Sequence, residues 1–217
     1  MSPKPQLITF DIFGTVLDWR SGMEAAAAAA GRPLRDGEFD RIVDVQGALE
    51  QGEFLDYAQI TCRSLMQVLA LPLAAASAIG ANVGCWPLYP DVPAALRELM
   101  RIAPCAAMTN SDRAHGEQMQ QQLGFPLSDW LCAEETRVYK PDAQFWQHMA
   151  HRRGIAPGPH WWHVSAYADY DLAVANALGL TTVYVARPHA RPGAATYQVD
   201  DLHGLAAMLS SQRSGRA

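Results

Sequence analysis

Asp11 stands at the end of a short apolar run, Leu7-Ile8-Thr9-Phe10, and Gly14 and Thr15 follow almost at once. A carboxylate placed where a buried strand enters a loop faces out at the mouth of a crevice, because ligands of open parallel sheets bind beyond the carboxyl ends of the strands. Gly14 permits a sharp backbone turn beneath it. The Thr15 hydroxyl can donate to the carboxylate and hold it in one rotamer. The simpler role for Asp11 is to cap the next helix. Further along, Thr109 and Asn110 end a second apolar run, and Lys140 precedes Pro141 in a loop. Ser165, Asp169 and Asp171 follow another run. The set offers an outward carboxylate, a hydroxyl, an amide, one lysine and a second acidic cluster. An anionic small substrate would need cations near Asp11, and Lys140 supplies one.

These residues need elements to gather them. After Leu17 the pattern turns helical. The alanine run Ala25 to Ala30 is ended by Gly31 and Pro33, and helical spacing continues over 39–51, 54–71 and 73–83. Asp91 is a candidate N-cap with Pro93 in the first turn. From there strands and helices alternate: strands over 105–108, 130–132, 161–164 and 181–185, with helices to about 123, over 142–152 and over 171–178. That alternation predicts an α/β fold with a parallel sheet, residues 18–88 forming an all-helical insertion after the first strand. The domains expected are thus 1–17 with 89–217, and 18–88. The tail after Gly204 reads as a short helix and then a polar, frayed end. No internal repeat is visible.

At 217 residues, 49% hydrophobic and 18% charged, the chain has a globular composition. A net charge of -5 gives no reason to expect nucleic acid or an anionic membrane surface as a partner. Cys62, Cys85, Cys105 and Cys132 are scattered without a C-x-x-C pair, which fits free thiols in a reducing compartment. With no apolar core of a leader peptide and no run long enough to span a bilayer, the expected location is the cytoplasm. His160 and His163 flank two tryptophans on one strand and so face opposite sides, which argues against zinc.

In order and spacing, F-D-x-F-G-T, then M-T-N, then V-Y-K-P-D, then an acidic strand end before D-L-A-V-A-N-A-L-G-L resemble the haloacid dehalogenase (HAD) superfamily over nearly the whole chain. The resemblance implies a Rossmann-like core with flanking helices, a helical cap and an aspartate nucleophile, Asp11. Two positions choose a branch. Phe13 stands where phosphatases of the family carry a second aspartate as general acid, and an aromatic donates no proton. Ala166 stands where they carry the first acid of the last motif, which helps to hold magnesium. Both departures resemble the L-2-haloacid dehalogenases, in which halide leaves carbon without a metal.

The resemblance therefore implies an ester on Asp11 that water hydrolyses. Lys140 keeps Asp11 ionised, Asp171 orients Lys140 or the water, and Ser165 bonds nearby. Thr109 and Asn110 hold the substrate carboxylate or the halide, with Phe13 in the pocket wall. A cap cation closes over the halide: Arg41 lies at about the family position, and Arg20 is the fallback. No cofactor is expected, the partner is a small anionic substrate, and a homodimer is a weak family expectation. The sequence also departs from that branch. Tyr167 falls where an asparagine is common, Tyr170 falls near a tryptophan position, one extra residue precedes Asp171, and Trp146 replaces a tyrosine. The alternatives are a magnesium-dependent phosphatase using Asp11 and Asp171 as metal ligands, and a catalytically inert HAD-fold protein.

Overall fold

In the computed structural model, which describes residues 2–214, six parallel strands form one sheet in the order β3-β2-β1-β4-β5-β6. The strands are β1 (Leu7–Phe10), β2 (Cys105–Thr109), β3 (Asp129–Cys132), β4 (Trp161–Ser165), β5 (Thr181–Val185) and β6 (Tyr197–Val199). Their continuous apolar runs are explained by helices on both faces. Side chains alternate along β1. Ile8 and Phe10 join the core formed with α5 (Val92–Met100) and α10 (Leu202–Ser214), whereas Leu7 joins the opposite core, with Phe145, Trp146 and Trp161. The strand order reverses between β1 and β4, and a crevice opens there beyond their carboxyl ends. Asp11 follows β1 and Ser165 ends β4.

Between β1 and β2 the chain builds α1 (Trp19–Ala29), α2 (Glu38–Glu50), α3 (Tyr57–Leu69) and α4 (Leu73–Gly80), which enclose a separate apolar core of Met23, Ile42, Ile60, Leu65 and Val83. The chain leaves and returns through a neck where Leu17 pairs with Leu88 and the Asp18 N–H donates to the Pro87 carbonyl at 2.8 Å. Asp18 caps α1 by accepting from the Ser21 N–H. The start of α3 is tied to the sheet side of the molecule: the Asp112 carboxylate accepts the N–H groups of Tyr57 and Ala58 at 2.7 and 2.9 Å.

The remaining helices are α6 (Arg113–Leu123), α7 (Ala133–Thr136), α8 (Ala143–Arg153) and α9 (Ala173–Ala177). Three features differ from the sequence expectations. β6 is an additional edge strand, its three residues too few to show a period. The last helix starts at Leu202 and runs to Ser214, longer than expected; the frayed end expected beyond it lies outside the described residues. The helix expected over 171–178 starts only at Ala173, and Asp171 sits before it in a single wide turn of π geometry, Ala168–Leu172, in which the Leu172 N–H reaches the Tyr167 carbonyl. Such a turn accommodates one extra residue. Among the described residues no helix is long and apolar enough to cross a membrane.

Candidate active site

The ladder between β1 and β4 continues one step past β1, because the Asp11 N–H donates to the Val164 carbonyl at 3.0 Å. The chain then folds back, with the Ile12 carbonyl accepting the N–H groups of Thr15, Val16 and Leu17. Gly14 makes this possible at φ +85°, and a Cβ there would stand 2.1 Å from the Tyr167 hydroxyl. The Thr15 hydroxyl donates to Asp11 Oδ2 at 2.7 Å and accepts the Ala166 N–H at 2.9 Å, so it locks the carboxylate to the end of β4. Beneath it, Arg187 Nε donates to the Thr15 carbonyl while its guanidinium forks onto Asp91 at 2.7 and 2.9 Å. Asp91, expected as an N-cap, makes no side-chain cap bond, because its carboxylate is turned to Arg187 and the Leu202 N–H.

Lys140 joins the two acidic centres. Its ammonium is fully buried and donates to Asp11 Oδ1 and Asp171 Oδ2, each at 2.9 Å. Ser165 donates to the same Asp171 oxygen at 3.0 Å. Burial works against the Asp171 charge, but Lys140 and the nearby His163 outweigh it and hold the carboxyl down to about 2. Burial also opposes the Lys140 charge, and the two carboxylates overcome it, raising that pKa. Asp11 goes the other way: burial and the Asp171 charge push its carboxyl up against the pull of Lys140 and Thr15. One cation between two carboxylates leaves Asp11 the more basic partner, a sound position for a nucleophile.

Asp11 forms the floor of a cavity of about 430 Å³ at the seam between the sheet and α2. Phe13, Thr109, Asn110 and Lys140 line it, whereas Thr15, Ser165 and Asp171 lie behind the wall, each 0% exposed. Phe13 packs on Tyr57 and edge-on to Trp86. Asn110 is held by the Lys140 backbone, accepting its N–H at 2.7 Å and donating to its carbonyl at 3.0 Å. The amide therefore positions Lys140. Arg41 is not in the wall: α2 lines the cavity from Val43 onward, and Arg41 lies exposed in its first turn. Arg20 is also outside, bonded to Glu24 at 2.8 Å. Helical spacing in α2 could not reveal which turn would dock over Asp11.

A family model of haloacid dehalogenase-like hydrolases matches residues 5–160. The chain belongs to that family. Among solved structures, this haloacid dehalogenase-like hydrolase is similar to the L-2-haloacid dehalogenase PA0810, with 26% identity over 95% of this chain and 99% of the other and a TM-score of 0.83. The defluorinating L-2-haloacid dehalogenase Rha0230 is 24% identical over 95% of each chain, with a TM-score of 0.81. The L-2-haloacid dehalogenase from Xanthobacter autotrophicus is 17% identical over 98% and 100%, with a TM-score of 0.79. The last two likenesses show the shared fold. No curated protein matches the sequence.

Within this hydrolase the donor set fits magnesium poorly. Magnesium takes six oxygens in a tight octahedron, several of them water, and needs one or two carboxylates free to bind it. Asp11 and Asp171 each give one carboxylate oxygen to Lys140, and Phe13 and Ala166 contribute no side-chain oxygen. The second Asp171 oxygen has no protein partner. Among the described residues, no group of three His, Cys, Asp or Glu side chains is arranged for a metal.

Sequence reasoning missed the other half of the wall. Glu50, Tyr57 and Arg191 all face the cavity, as do Tyr167 and Tyr170, which the motifs marked only as departures. Asn110 donates to Tyr170 at 2.7 Å and to Glu50 at 3.2 Å, and the Tyr170 hydroxyl donates to the Lys140 carbonyl. Burial pushes the Glu50 carboxyl up to about 7, against the opposing pull of Asn110 and Lys140.

Proposed function

We propose that this chain displaces halide from small 2-haloacids through Asp11, in the manner of the L-2-haloacid dehalogenases it is similar to. The observation that carries the reading is Phe13: beside the nucleophile, where a leaving alkoxide would need a proton donor, the wall is aromatic. Halide leaves without a proton. An oxygen of Asp11 attacks the carbon bearing the halogen, a C–O bond forms as the C–X bond breaks, and the electron pair departs with the halide. Water then attacks the ester at the Asp11 carbonyl carbon; one of its protons goes to the departing oxygen to give the 2-hydroxy acid, the other is released to solvent, and the carboxylate returns. When Asp11 becomes an ester, its negative charge is lost, and the Lys140 ammonium 2.9 Å away is placed to polarise the carbonyl. Asp171 keeps that ammonium charged and in place.

The test is halide release from 2-chloropropionate with EDTA present. EDTA-resistant release is expected, and Asp11→Asn should lower it by roughly 10⁴-fold or more. Magnesium-dependent phosphate release from p-nitrophenyl phosphate, with no halide release, would overturn the reading.

A further inference from the structure

A 2-haloacid carries a carboxylate, and the cavity must hold it while Asp11 attacks the neighbouring carbon. Among the described residues lining the cavity, the cations are Lys140 and Arg191. Lys140 is committed, with its ammonium 1% exposed between two carboxylates. The opposite wall, contributed by α2, carries Asp44 and Glu50 and no cation. Arg191 lies on the loop between β5 and β6, and its backbone is fixed to the segment after β4. Its N–H donates to the Ala166 carbonyl at 2.9 Å, and its carbonyl accepts the Ala168 N–H at 2.8 Å. Ala166 is the residue whose N–H meets Thr15, so Arg191 is anchored one step from the group that fixes Asp11. The guanidinium, by contrast, is available. It lies 5.8 Å from the centre of the Tyr167 ring, is half exposed and meets only Asp169 at a loose 3.7 Å.

We infer that Arg191 is the specificity-determining cation of this site, receiving the substrate carboxylate from the sheet side of the cavity. The inference rests on the dehalogenase reading for its substrate class. Guanidinium binds carboxylate through two parallel N–H donors, and an exposed pair at 3.7 Å competes weakly with a ligand drawn into a partly desolvated pocket. An arginine that selects for charge leaves a specific signature: its loss penalises the acid more than the neutral amide.

The experiment compares wild type, Arg191→Ala and Arg191→Lys on 2-chloropropionate and 2-chloropropionamide, and measures propionate binding by titration calorimetry. In Arg191→Ala the preference in kcat/KM for acid over amide should fall about 10- to 100-fold, and the propionate Kd should weaken by a similar factor. Arg191→Lys should recover most of the preference. An unchanged preference and Kd in Arg191→Ala, or no propionate binding by the wild type, would overturn the inference. Normal halide release with an unchanged preference sinks only the role of Arg191. Arg191-dependent propionate binding without any halide release sinks only the dehalogenase reading.

Discussion

At the scale of single residues, the site is a charge balance set by burial. Asp11 and Asp171 compete for one ammonium, and a third acid, Glu50, faces them from α2. With its carboxyl pushed up to about 7, Glu50 is largely neutral below neutrality and adds a negative charge to the cavity as pH rises through that value. The KM for an anionic substrate should therefore increase above pH 7, by up to roughly tenfold, and Glu50→Gln should flatten the rise. A rise that persists in Glu50→Gln would assign the effect to another group. Gly14 is a second sensitive point. Gly14→Ala meets both a positive φ and the Tyr167 hydroxyl, and should cost roughly 1–3 kcal/mol in urea unfolding along with much of the activity.

At the scale of elements, an ion pair beneath Thr15 holds the site, and it was not visible in the sequence. Asp91 and Arg187 are 96 positions apart, and only the folded sheet brings them together beneath Thr15. Removing one partner of a buried pair strands the other charge, so Asp91→Ala should lower unfolding stability by about 3–5 kcal/mol. A loss under 1 kcal/mol would show that the guanidinium finds water instead. What the sequence did reveal lay at strand ends. Asp11 was legible because an apolar run ending at a polar residue has a fixed meaning in a parallel sheet, whereas Lys140 and Asp171 were legible from the order of the motifs. The α2 wall was not, since its register over Asp11 depends on how one helix docks. Arg41 lies outside that wall for this reason, and Arg191 was passed over because an arginine in a polar loop has no period to mark it.

At the scale of the whole molecule, two apolar cores flank the sheet and a third lies within α1–α4, joined to the others through the neck at Leu17 and Leu88 and the Asp112 tie to α3. The core within α1–α4 is smaller than the one that Ile8 and Phe10 join, so amides of α2 and α3 should exchange with solvent at a lower opening free energy than those of β1 and β4. Equal protection throughout would mean that the molecule opens as one unit. The turn at Ala168–Leu172 separates chain length from catalytic geometry. Its widened coil takes up the extra residue locally, while Ser165 and Asp171 still meet at 3.0 Å. A residue can be gained or shed at this point without moving the carboxylate; what changes is which aromatic side chain faces the cavity. The segment is thus a place where insertion and deletion can vary the aromatic wall of the cavity while leaving Asp11 untouched.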